Sequence, residues 1–462
     1  MSSQIQKIFE AQQARSIQLR LSTAEERKAK LLKLKSLIQA NEDEIYQALA
    51  TDLRKPLFEA ALTEVYFVYG EIDFALKNLN SWMKPKKVKA TLASLSTRNK
   101  IIYEPKGVSL IISPWNYPFQ LLISPLVSAI AAGNCAILKP SELSSATSAL
   151  LCKLISNNFD PSEIACFEGD ASVAQELLSL PFDHIFYTGS TQVGKLVMEA
   201  AAKHLSSVTL ELGGKSPVII TEKAQLEKAA EKIVWGKFLN AGQTCIAPDY
   251  VLLPENMQEK FVQMVQQKIE KFYQQNGQLD KAVYGKIISI KHFERLKQLT
   301  ETTLKQGAQL SFGGNFAPND LTIEPTLLTG VAWDSAIMQE EIFGPILPII
   351  SYQNLDEALR QVNARPKPLA LYVFADSDTA DKVIRHTSAG GTAVNDVLIH
   401  ISNPHLPFGG IGPSGSGSCH GFYGFKAFSH ERSVLYQGAI DFNQMIYPPF
   451  NMGLLKWLKK LF

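Results

Sequence analysis

The chain has 462 residues, 46% hydrophobic and 19% charged, with a net charge of +2. That length accommodates two or three domains around a large core. The near-neutral balance leaves no bulk electrostatic case for a nucleic acid partner. The five cysteines (Cys135, Cys152, Cys166, Cys245 and Cys419) are scattered, odd in number and contain no C-x-x-C pair. Such usage argues against a disulfide framework or a metal site, and for a reducing, cytoplasmic setting.

Residues 1–80 read as helices, with no apolar signal core at the start. Ser22 with Glu25, and Asn41 with Glu44, have the spacing of capping boxes. Pro56 opens a third helical stretch to about Asn80. After Pro85 the pattern turns extended and polar as far as Glu104, which predicts a hairpin apart from the main sheet. Residues 108–138 carry no charge, as a membrane span would. Pro114, Pro118 and Pro125 break that span, and the segment reads instead as strand, loop, helix and strand, with Gly133 stopping the helix.

From Gly107 onward, strands at 108–112, 135–138, 165–167, 184–187 and 208–211 alternate with helices. The alternation restarts at 217–220 and continues through strands at 250–253, 326–328, 346–351, 369–374 and 392–394. This is βαβ organisation and predicts an α/β fold with two doubly wound, mostly parallel units. From about Pro407 the chain is glycine-rich, and a last extended stretch covers 433–436.

Two segments carry candidate chemistry. Asn240-Ala241-Gly242-Gln243-Thr244-Cys245 places one cysteine after a small-residue loop. Glu211-Leu212-Gly213-Gly214-Lys215-Ser216-Pro217 places a carboxylate at the mouth of an apolar strand. A reachable thiolate with a carboxylate base forms a covalent-catalysis pair; taken alone, Cys245 also fits a buried structural cysteine. The turn Thr188-Gly189-Ser190-Thr191-Gln192-Val193-Gly194 aims backbone N–H groups and a helix dipole at an anion. It lacks the G-x-G-x-x-G fingerprint, and a glycine turn capped by Ser190 explains it equally well. Lys139-Pro140-Ser141-Glu142 follows a strand and faces the ligand crevice of a parallel sheet, or else is a solvated loop.

Further motifs are Pro114-Trp115-Asn116-Tyr117-Pro118, Glu340-Glu341-Ile342-Phe343-Gly344-Pro345 and Pro407-Phe408-Gly409-Gly410. With them, the chain resembles the NAD(P)-dependent aldehyde dehydrogenase superfamily over most of residues 5–440. Cys245-Ile246-Ala247-Pro248-Asp249-Tyr250, Asn395-Asp396-Val397 and Phe428-Ser429-His430 resemble its class 3 branch of fatty and aromatic aldehyde dehydrogenases. The resemblance implies an NAD(P)-binding domain of residues 1–82 and 105–211 and a catalytic domain of 212–406. It also implies a small β oligomerisation domain from 83–104 and 407–437, and a homodimer. It makes Cys245 the nucleophile, Glu211 the base for deacylation, and Asn116 an oxyanion donor beside the Cys245 N–H. NAD, with NADP possible, would be held by Lys139 and Glu142 at the adenine ribose. Gly189, Ser190, Thr191 and Gly194 would lie at the phosphates, Glu341 at the nicotinamide ribose and Phe343 beside the ring. No metal is implied. The substrate would be a medium- or long-chain aliphatic or aromatic aldehyde.

Two alternatives are an acylating enzyme that passes the thioester to coenzyme A, and a non-catalytic protein on the same fold. Glu211 as a water-activating base argues against the first; Cys245, Glu211 and Asn116 together argue against the second. In the tail, 438–462, residues 454–462 have helical spacing, with leucines, Trp457 and Phe462 opposite three lysines. Packing against protein is the plain expectation, and peripheral contact with an anionic membrane the sharper one.

Overall fold

The computed structural model describes residues 2–91 and 94–459. Two open sheets and one outlying sheet carry the architecture, and helices cover the faces of both open sheets. The first has the order Gly415–Ser416, Ser207–Glu211, His184–Thr188, Val108–Ile112, Cys135–Lys139, Ile164–Cys166. Its pairings are parallel apart from the Gly415–Ser416 edge. Val108–Ile112 and Cys135–Lys139 are buried at every residue, as apolar runs are when helices cover both faces. From Val108–Ile112 the strand order runs outward to Ile164–Cys166, then resumes on the opposite side with His184–Thr188. Such a reversal opens a crevice at the carboxyl ends of the strands.

The second sheet has the order Gln309–Phe312, Thr326–Thr329, Ile346–Tyr352, Tyr250–Pro254, Pro217–Ile220, Ala370–Phe374, Gly391–Val394. It is parallel except for its Gln309–Phe312 edge. The chain leaves the first sheet at Glu211 and enters the second at Pro217. The α/β, doubly wound reading therefore stands. The third sheet pairs Lys86–Val88 with Arg98–Pro105, and that strand with Ser429–Tyr436 from the far end of the sequence.

Local differences from the sequence expectations have simple causes. The capping box sits one residue later than expected, at Thr23 and Glu26, because Ser22 instead donates to the Leu19 carbonyl. Asn41 makes no side-chain cap; its amide donates back to Leu37 O at 2.7 Å. Cys152 and Cys166 form a disulfide, a single bridge that the cysteine pattern, read against a disulfide framework, did not indicate. Helix Ser145–Asn158 packs on strand Ile164–Cys166, so residues 14 apart in sequence come within 5.1 Å at Cα. Gly133 ends helix Gln120–Ala132 at φ +88, and the Arg27 guanidinium occupies the space a Cβ would need. In the tail, helix Met452–Leu458 leaves Leu455 and Lys456 exposed. Lys459 is exposed as well; the side chains of Leu454, Trp457 and Leu458, with residues 460–462, lie outside the described residues. No helix among the described residues is long and apolar enough to cross a membrane.

One helix start depends on a distant residue. Ser144 makes no side-chain cap on helix Ser145–Asn158. Buried Asp52 instead accepts from Ala146 N at 3.1 Å, Thr147 N at 2.9 Å and Thr147 Oγ1 at 2.7 Å. A carboxylate there satisfies orphan N–H groups and complements the helix dipole. Asp52→Ala is expected to cost about 2 kcal/mol of stability, with Asp52→Asn in between. Denaturant midpoints would check this.

Candidate active site

Carboxyl ends of adjacent parallel strands converge on one region. In sheet order they present Glu211, the Gly189 turn, the loop carrying Asn116, and Lys139. The cysteine loop reaches this region from the second half of the chain. Asn240, Ala241 and Gly242 have φ of 52°, 52° and 74°. A Cβ on Gly242 would stand 2.3 Å from Gly344 O, so glycine is required there. Gln243 braces the turn: its Nε2 donates to Asn240 O at 2.9 Å and Lys286 O at 3.0 Å, and its Oε1 accepts from Ile288 N at 3.0 Å.

Asn116 is tied to this loop. Its Nδ2 donates to Gln243 O at 2.9 Å, and Asn240 Nδ2 donates to Asn116 O at 2.8 Å. Tyr117 OH and Thr244 Oγ1 lie 2.7 Å apart. The Asn116 amide has two N–H groups, and one of them goes to Gln243.

Cys245 is half-buried. The backbone N–H groups of Cys245 and Ile246 face its sulfur and favour the thiolate. Burial opposes them most strongly, followed by the negative charges of Glu341 and Glu211, and the thiol is pushed up to about 12. Glu211 is buried, and both of its carboxylate oxygens lack a hydrogen-bond partner. Burial drives its carboxyl well above the usual range, and the nearby Cys419 thiol offsets this only in part. A buried carboxyl whose proton is held more tightly than in water is a candidate acid–base group. An apolar cavity of about 330 Å³ joins the two groups; Phe67, Leu121, Trp235 and Phe408 are among its walls.

Glu341 folds over Gly213, where a Cβ would stand 2.0 Å from its Oε2. Burial, then Asp249, raises its carboxyl to about 8, against the N–H of Gly214. Its segment is clamped from both sides. Lys215 pairs with Asp249 and donates to Ile337 O and Glu340 O, both at 2.8 Å. Asp249 Oδ1 accepts from Ile342 N at 2.9 Å, and Arg295 Nη2 donates to Ile342 O at 2.6 Å. Phe343, at φ 50°, meets Trp115 edge-on at 5.3 Å.

The Gly189 turn leads into helix Thr191–Ala202, which Ser190 caps by accepting from Val193 N at 3.4 Å. A Cβ on Gly189 would meet Tyr187 OH at 2.2 Å, and one on Gly194 would meet Leu212 at 2.7 Å. Ser190 is exposed, leaving this helix N-terminus open to an anion. Buried Lys139 donates to Pro140 O and Glu142 Oε2, each at 3.1 Å. An open helix start beside an amine–carboxylate pair fits the phosphates and ribose hydroxyls of a dinucleotide.

Sequence reasoning missed Lys215, Asp249 and Arg295, which brace Glu341, and Lys55 and Glu64 behind Asn116. Lys215 and Asp249 lie inside motifs already singled out. Lys55, Glu64 and Arg295 gave no signal, since charges at helical spacing read as solvated.

The aldehyde dehydrogenase family model matches residues 1–434. The chain belongs to the aldehyde dehydrogenase family. It is 46% identical to the 4,4'-diaponeurosporen-aldehyde dehydrogenase of Staphylococcus aureus, over 98% of this chain and 96% of that one. It is 44% identical to aldehyde dehydrogenase family 3 member A2 of Mus musculus, over 98% and 92%. A substrate-bound Staphylococcus aureus AldH matches its structure with a TM-score of 0.94 at 44% identity, covering 99% of each chain. These relatives agree with the class 3 resemblance, and the protein is an NAD(P)-dependent aldehyde dehydrogenase.

The thiol of this aldehyde dehydrogenase has a testable ionisation. Iodoacetamide alkylation of Cys245, followed by peptide mass without added cofactor, should accelerate about tenfold per pH unit from pH 7 to 10 without a plateau. Glu341→Gln removes a negative charge, lowers the thiol pKa, and is expected to speed alkylation at pH 8.

Proposed function

We propose that the protein oxidises medium- or long-chain aliphatic or aromatic aldehydes to carboxylic acids through a covalent intermediate on Cys245. The observation that carries this reading is the single apolar cavity in which the Cys245 thiol meets the unpartnered carboxylate of Glu211. The apolar walls, and the long apolar aldehyde in the name of the Staphylococcus aureus relative, support the substrate class.

Cys245 attacks the aldehyde carbon as a thiolate, after its proton passes to solvent water. A C–S bond forms, and the carbonyl π electrons move to oxygen. That oxyanion accepts from the second N–H of Asn116 and from the backbone N–H of Cys245. NAD or NADP, when bound, would supply the hydride acceptor needed to oxidise the thiohemiacetal to the thioester. Glu211 then takes a proton from water, the water oxygen attacks the thioester carbon, and the acid leaves as the C–S bond breaks. Lys139 and Glu142 would hold the adenine ribose, and Gly189, Ser190, Thr191 and Gly194 the phosphates. Glu341 would hold the nicotinamide ribose and Phe343 would pack by the ring.

In this reading residues 1–82 and 105–211 bind the cofactor and 212–406 carry the chemistry. The outlying hairpin with 407–437 joins two copies as a homodimer. Exposed Phe450, Met452 and Leu455 beside Lys456 support a membrane-facing tail.

The test is NADH formation with saturated aldehydes of increasing length and with benzaldehyde. Wild type is expected to favour longer chains in kcat/KM. Cys245→Ala is expected to be inactive, and Asn116→Ala to lose about 10²- to 10³-fold in kcat. Turnover by Cys245→Ala would overturn the covalent route.

A further inference from the structure

We propose that Lys55 is a positioning residue for the oxyanion donor Asn116, acting from a fully buried ion pair with Glu64. The inference rests on the role given to Asn116 above.

The side chains of Lys55 and Glu64 are both 0% exposed, and Lys55 Nζ lies 2.5 Å from Glu64 Oε1. Removing two charges from water is costly, and apolar residues of the same volume often serve stability as well or better. A pair at such a place points to a task other than stability. Its contacts show the task. Lys55 Nζ donates to Asn116 O at 3.2 Å and lies 3.9 Å from the centre of the Tyr117 ring. Glu64 Oε2 accepts from Gln120 N at 2.8 Å. The pair thus grips the loop at both ends: the carbonyl of Asn116 and the N–H of Gln120.

Glu64 reaches that position from a π-helical turn, Ala61–Val65, set between helices Leu57–Ala60 and Tyr66–Trp82. Wide turns of this kind are rare and concentrate at functional sites. The same turn supplies Leu62 and Thr63 to the wall of the cavity. A second buried carboxylate, Glu59, also feels the Lys55 charge. The cation therefore sits among two carboxylates, one carbonyl and one aromatic face. Asn116 is held at its carbonyl by Lys55 and Asn240 and at its amide by Gln243. Lys55 touches no reacting atom. It fixes the peptide from which the amide projects, and small displacements of a catalytic donor are expensive in rate.

The test compares full-length Lys55→Met/Glu64→Gln, Asn116→Ala and the combined variant by steady-state kinetics and the pre-steady-state NADH burst. Both charges are removed together so that neither is stranded. The pair variant is expected to lose about 10- to 100-fold in burst rate and kcat, with the KM for NAD within about twofold of wild type. Combined with Asn116→Ala it is expected to add no further loss, because both changes remove one function. Lys55→Arg keeps the ion pair and moves the donor; it is expected to show a smaller kcat loss that likewise vanishes on the Asn116→Ala background. This variant serves if the neutral pair does not fold. Additive losses, or wild-type kcat in both Lys55 variants, would overturn the proposal. If Asn116→Ala itself keeps full kcat, the oxyanion role fails instead, and that result is distinct.

Discussion

One amide–carbonyl contact, from Asn116 Nδ2 to Gln243 O at 2.9 Å, joins two parts of the chain 127 residues apart. One part follows a strand of the first sheet; the other leads into a strand of the second. Asn240 bridges both backbones, so the Asn116 loop and the Cys245 loop are tied together. The left-handed run at Asn240, Ala241 and Gly242 is held in place by this bonding. Strained backbone of that sort persists only where its surroundings over-determine it.

Burial governs the chemistry around that body. Buried Glu211 and half-buried Glu341 place negative charge near half-buried Cys245, and like charges there disfavour one another. The cysteine is therefore a thiol at neutral pH, and the carboxyls hold protons more tightly than in water. Restraint on the other side of the site comes from full ion pairs, Lys55 with Glu64 and Lys215 with Asp249, which carry fixed charge up to the backbone of the reacting loops.

The legible parts of this protein were those where local sequence determines geometry. Alternating apolar runs and helices specified the doubly wound sheets, since parallel strands buried on both faces must read that way. Glu211 and Lys139 stood out because they follow strand ends, where a parallel sheet places its ligands, whereas Asn116 stood out only through the family resemblance. Cys245 stood out from its small-residue loop. What stayed hidden depends on partners far away in the chain. Lys55 and Glu64 look like solvated helix charges until Asn116 is seen against them. Asp52 looks like an ordinary acid until helix Ser145–Asn158 lands on it. Cys152 and Cys166 carry no spacing signature because helix-on-strand packing, not sequence distance, brings them together. The shift from Ser22 to Thr23 at a helix start is a one-residue error of the kind that boundary reasoning makes.

The most direct measurement is the mass of the enzyme during turnover. Glu211→Gln is mixed with a long-chain aldehyde and NAD, quenched in acid, and digested for peptide mass spectrometry. If Cys245 is the nucleophile and Glu211 the base for deacylation, the peptide carrying Cys245 gains one acyl group, with about one NADH formed per site. NADH formation with Cys245 unmodified, or an acyl group found on another residue, would contradict covalent catalysis at Cys245.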